Sequence, residues 1–88
     1  MPELCRFYGM IIQMMYNDNR QHNIPHIHVN YAGEKISVTF DGKIIVGKLP
    51  AKQLKLLQIW IKQHKNELGI AWNKAIKGEP FGVIEPLE

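Results

Sequence analysis

A chain of 88 residues makes one domain, able to bury roughly 60–65% of the surface its unfolded form exposes, which supports one modest core and leaves no room for two. Eleven Lys and Arg against eight Asp and Glu give a net charge of +3, an excess that permits nucleic-acid contact without demanding it. The single Cys5 excludes an internal disulfide and suits a reducing cytosol; with no apolar run near the roughly 18 residues of a membrane span, and Glu3 ahead of Cys5 and Arg6 where a secretory leader would be basic then apolar, a cytoplasmic protein is expected.

The run from Arg6 to Tyr16 is apolar on both parities, which predicts a strand covered on both faces, and Gly9 with its neighbouring aromatics favours strand over helix. Asn17 to Asn23 is loop chemistry. Ile27, Val29 and Tyr31 then alternate with His26, His28 and Asn30. Ala32-Gly33-Glu34 turns the chain, and Ile36, Val38 and Phe40 alternate with Lys35, Ser37 and Thr39. If these two strands pair, the polar sets share one face. Asp41-Gly42 predicts a two-residue hairpin turn into a fourth strand around Lys43 to Gly47.

Pro50 suits a first helical turn, where its missing N–H is unneeded. Leu54, Leu57, Trp60, Ile61, His64 and Leu68 follow on one side at helical spacing and should cover the inner face of the sheet. Leu56 and Ile59 fall elsewhere, Ile59 among Lys52, Lys55 and Lys62, leaving apolar surface for a partner or a second copy of the chain. A second helix is expected from Asn66 to Lys77, with Asn66 as cap, Leu68, Ala71, Trp72, Ala75 and Ile76 as its apolar side, Gly69 as an internal weakness and Gly78 as its stop. The tail from Phe81 to Leu87 adds an extended segment. The expected fold is a single α+β domain over residues 1–88: a four-stranded antiparallel sheet within 4–48, two helices within 50–78 packed on one of its faces, and an extended tail over 79–88.

Three of the four histidines lie between His22 and His28. Pro25 biases Ile24 toward extended backbone, so His26 and His28 point to one face of the strand that follows. Such a pair has three uses. It can ligate a divalent transition metal such as zinc, with His22 as a third ligand and Asp18 as a fourth or as a group orienting a ring. It can do acid–base work on RNA, one histidine taking a 2′-OH proton and the other protonating the leaving oxygen, with Lys35, Lys52 or Lys55 steadying the phosphate. Or it can hydrogen-bond to Asn30, Ser37, Thr39 or a loop carbonyl and lock the Pro25 turn, a structural or partner-binding role that outweighs either chemistry. His64, on the core stripe, is expected to be a buried histidine satisfied by one partner. Trp60 and Trp72 read as core or interface aromatics, and Cys5 as an inert apolar residue.

The order Arg6-Phe-Tyr-Gly-Met-Ile-Ile12, then His22-x-x-Pro-His-Ile-His-Val29, Gly47-Lys-Leu-Pro50, Trp60 with His64, Glu67-Leu68, Trp72 and Ile84-Glu-Pro-Leu87 resembles the bacterial domain of unknown function 4160 family over nearly the whole chain. Members typically read His-Asn-Pro-Pro-His-Phe-His-Val; His22, Asn23, Pro25, His26, His28 and Val29 match, Ile24 and Ile27 depart, and the loop from Asn17 to Gln21 is longer than usual. The resemblance implies a small α+β protein, encoded beside a helix-turn-helix or similarly small partner, in toxin–antitoxin-like modules. The expected function is accordingly that of a module component acting through protein–protein contact, with a homodimer and a surface for RNA or DNA as further partners. The alternative is a histidine-based or metal-dependent hydrolase, an endoribonuclease in this context.

Overall fold

The computed structural model describes residues 3–14 and 24–87; Asp18, His22 and the end of the first expected strand at Met15 and Tyr16 lie outside them. The strands are β1 (Glu3–Phe7), β2 (Met10–Gln13), β3 (His26–Tyr31), β4 (Glu34–Thr39) and β5 (Ile44–Val46), followed by helices α1 (Ala51–Gln63) and α2 (Lys65–Ile76). The strands form one antiparallel sheet in chain order. The α+β expectation is met, with five strands in place of four. The apolar run read as one strand is a hairpin: Phe7 pairs with Met10, and Tyr8 and Gly9 turn the chain with φ of 50° and 82°. Two positive φ values in a two-residue loop match the right-handed twist of the flanking strands. Glycine adopts that conformation freely and tyrosine does so against its preference, so the turn carries no Asn-Gly or Asp-Gly signature.

The turn at Asp41-Gly42 is also corrected. Only Gly42 has a positive φ, the Gly42 N–H donates to the Thr39 carbonyl at 3.0 Å, and the Thr39 N–H donates to the Lys43 carbonyl at 2.8 Å. Phe40, Asp41 and Gly42 thus form a three-residue loop ending in a left-handed glycine, the next commonest hairpin connection after the two-residue one.

Cross-strand register sorts the sheet into two faces, as the alternation predicted. Cys5, Ile12, Val29 and Ile36 form one row on the inner face. The rows Arg6–Ile11–Asn30–Lys35 and Gln13–His28–Ser37–Val46 lie on the outer face. The inner residues merge with Leu57, Trp60 and Ile61 of α1 and Leu68, Ala71, Trp72 and Ala75 of α2 in one core, each fully buried large side chain contributing about 1.5–3 kcal/mol. Leu54 is half-buried. Ile76, expected on the apolar side of α2, is 51% exposed; the buried stripe of α2 ends at Ala75.

Pro50 precedes the first helical residue, and its carbonyl accepts the Leu54 N–H at 2.9 Å. His64 joins the two helices with no loop between them: its N–H reaches the Trp60 and Ile61 carbonyls, and its own carbonyl accepts the Leu68 N–H at 2.9 Å. The cap of α2 is therefore His64 and not Asn66. Its Nδ1–H donates to the Glu67 carboxylate at 2.6 Å, with Glu67 in the first turn where a negative charge is favourable. His64 has its one expected partner, but at a partly exposed junction and not in the core. Gly78, at φ 73°, stops α2 as expected. The tail is extended: the Ile84 N–H donates to the Leu4 carbonyl at 3.0 Å, the Trp60 Nε1–H to the Glu85 carbonyl at 2.7 Å, and Ile84 is buried.

A shift in register between Glu3 and Cys5 lets Leu4 and Cys5 both be buried. Burial, and secondarily the charge of Glu3, pushes the Cys5 thiol up to about 12. A folded-state value above the unfolded one contributes stability that is whole below about pH 9 and is lost as pH rises toward 12, since only the unfolded chain ionises in that window. The native protein at pH 8 should therefore resist alkylation by iodoacetamide and react fully in urea, as followed by intact mass.

Candidate functional site on the outer sheet face

β3 begins directly after Pro25, and its first side chain is held by the backbone just before it. The Nδ1–H of His26 donates to the Ile24 carbonyl at 2.8 Å. In the uncharged ring that bond fixes the tautomer and leaves Nε2 with the lone pair. His26 is 1% exposed. Its ring centroid lies 5.1 Å from that of His28 and 5.4 Å from that of Trp72 on α2, and Trp72 in turn stands 6.1 Å from Phe40. His26 thus closes one end of the sheet, clasped between the helical layer and its own neighbour on β3. Trp72 is the aromatic core residue the sequence suggests.

His28 is half-buried and occupies the middle of the row from Gln13 to Val46. A cavity of about 300 Å³ opens there, lined by Gln13, His28, Val29, Asn30, Lys35, Ser37 and Val46. The amides of Gln13 and Asn30, the imidazole, the ammonium and the hydroxyl can all donate hydrogen bonds, and no carboxylate is among them. The structure therefore brings together four residues read from the sequence, His28, Asn30, Lys35 and Ser37. It adds Gln13 and Val46, which the sequence reading missed; the signal was cross-strand register, since both sit directly in the His28–Ser37 row.

Thr39 is buried and serves the turn, its Oγ1 accepting the N–H groups of Asp41 at 3.2 Å and Lys43 at 3.1 Å. Lys52, Lys55 and Ile59 are exposed on α1, which packs on the inner face, so they do not join the cavity. Asp18 and His22 lie outside the described residues. Among the described residues, no group of three or more His, Cys, Asp or Glu is placed to hold a metal ion; His26 and His28 stand as a pair. At the far end of β1, Arg6 grips Glu3 through Nε at 2.7 Å and Nη2 at 3.0 Å, which holds the Glu3 carboxyl below its ordinary range and the Arg6 guanidinium above its own.

Comparison with known proteins gives one family: the sequence model described as "Domain of unknown function (DUF4160)" matches residues 9–73, a span from the Gly9 turn to the end of the Trp72 region. No curated protein and no solved structure matches the chain. Among the described residues, no helix is long and apolar enough to cross a membrane.

Proposed function

We propose, from the premise that the chain belongs to the DUF4160 family, that it is a small binding protein whose working surface is the outer face of its sheet. In this reading it is one component of a toxin–antitoxin-like module in the cytoplasm and acts by contact with a small partner protein. The cavity, whose described lining of Gln13, His28, Asn30, Lys35 and Ser37 includes no acidic side chain, carries the proposal. Concave surfaces with a few convergent polar groups are the usual form of a recognition site, and donors gathered around one ammonium suit a carboxylate on the partner. Buried His26 supports the wall of this site.

The test is co-expression with the neighbouring gene product and measurement of the complex by calorimetry. A hydrogen bond to a charged group contributes about 1.5–3 kcal/mol, so Lys35→Glu should weaken binding by at least about tenfold, while Ile59→Asp on α1 should leave it unchanged. The reverse pattern would sink the reading.

One observation favours the hydrolase alternative: the Nδ1–H bond to the Ile24 carbonyl holds the His26 ring in one orientation, and in its uncharged form assigns Nε2 as the basic nitrogen a general base requires. Replacing both His26 and His28 with alanine would then abolish RNA cleavage or growth arrest, with far-UV circular dichroism intact. Cleavage that survives the replacement rules it out.

A further inference from the structure

We propose that the exposed face of α1 docks along the phosphate backbone of duplex DNA, on the side of the molecule opposite the partner site and independently of it. From residue 42 to residue 66 the chain carries six lysines and no Asp or Glu. Within α1, Leu57, Trp60 and Ile61 are buried, while Lys52, Lys55, Ile59 and Lys62 are exposed. At 3.6 residues per turn those four lie within an arc of about 80°, turned away from the buried residues, and the distance from Lys52 to Lys62 along the axis is about 15 Å. The lysines thus form one straight stripe with its back to the core.

Charge pairing sets the stripe apart from its surroundings. Arg6 is bonded to Glu3, His64 to Glu67 and Lys65 to Asp41, whereas among the described residues Lys52, Lys55 and Lys62 have no ion-pair partner. Nor does the helix gain from them at its start. Its first turn holds Lys52 and no acidic residue, against the preference of a helix N-terminus for negative side chains. A polyanion supplies the missing charge. A DNA duplex carries one negative charge per about 1.7 Å of axis, so a 15 Å stripe faces about nine of them, and flexible lysines meet phosphates in any register. The stripe has no arginine to read a guanine edge, no aromatic ring to stack an unpaired base, and no hydroxyl or amide to bond a ribose 2′-OH. Its chemistry therefore favours a sequence-independent grip on duplex DNA over single strands or RNA.

Untagged full-length protein is titrated into a fluorescein-labelled, random-sequence DNA duplex and followed by anisotropy across a salt series. Three phosphate contacts give a slope of log K against log salt near about −2.7, so affinity should fall roughly 40-fold between about 50 and 200 mM salt. Lys55→Gln should reduce the magnitude of that slope by about 0.9, and Ile59→Asp, which leaves the partner site untouched, should weaken DNA binding by placing a carboxylate against the phosphates. Lys35→Gln, on the outer sheet face, should leave the slope unchanged. All three replace exposed side chains, so the fold is preserved. No binding at low salt, a slope that Lys55→Gln does not alter, tighter binding of RNA, or a preference for polyglutamate, which would mark an acidic protein as the occupant, would each overturn the DNA surface.

Discussion

Trp60→Ala should remove about 3.5–6.5 kcal/mol, a large share of the stability of the domain, and lower its urea midpoint accordingly. The indole is 0% exposed, its ring stands 5.5 Å from Phe7 and 5.4 Å from His64, and its Nε1–H holds the tail at the Glu85 carbonyl, 2.7 Å away. Truncating a buried tryptophan costs about 3–5 kcal/mol, and losing the hydrogen bond adds about 0.5–1.5 kcal/mol. At about 0.05–0.15 kcal/mol per residue, a domain this size has roughly 4–13 kcal/mol in all. Trp60→Phe separates the two contributions: it keeps most of the packing and loses the tail bond, so a smaller drop in the urea midpoint should accompany faster hydrogen exchange at the Ile84 amide. A Trp60→Ala protein with the wild-type midpoint would show that α1 does not anchor the core.

Gly47→Ala should cost about 2–4 kcal/mol, more than the loss of most surface contacts. Gly47 has a φ of +88°, and a Cβ placed there would lie 2.9 Å from the Lys35 carbonyl oxygen and 3.0 Å from Ile36 Cγ1. The left-handed backbone alone costs an alanine about 1–3 kcal/mol. The clash adds to it because the carbonyl belongs to β4, pinned by the β3–β4 register, and cannot move aside as a flexible side chain would. Gly69→Ala is the control of opposite sign: it lies inside α2 with nothing within 4 Å of its Cβ position, and should stabilise by about 0.4–1 kcal/mol. Urea denaturation with unchanged slopes measures both. A neutral Gly47→Ala would mean that β5 does not hold the chain against β4 at this point.

The alternation of His26, His28 and Asn30 with Ile27, Val29 and Tyr31 was legible because each strand buries one face, and period two then assigns every side chain. The helical stripe of Leu57, Trp60, Ile61 and Leu68 was legible for the same kind of reason. The Tyr8-Gly9 turn was not, since a run apolar on both parities looks continuous when its turn uses tyrosine where asparagine is usual. The start of the second helix was legible to within a residue, expected at Asn66 and found at Lys65, but its cap was not, since the cap position falls to His64, which carries no N-cap signature, and not to Asn66. Within the site, His28, Asn30, Lys35 and Ser37 followed from two adjacent strands. Gln13 required the pairing of β2 with β3, and the enclosure of His26 required Trp72 from a helix 46 positions later in the chain, a contact that no local pattern encodes.

Whether the outer sheet face is the working surface is decided by mapping the bound partner on isotope-labelled protein by NMR. Backbone and side-chain resonances of Gln13, His28, Asn30, Lys35 and Ser37 should shift on titration with the neighbouring gene product, while those of Lys52, Lys55 and Ile59 stay in place. Shifts confined to α1, with the outer face unmoved, would contradict it.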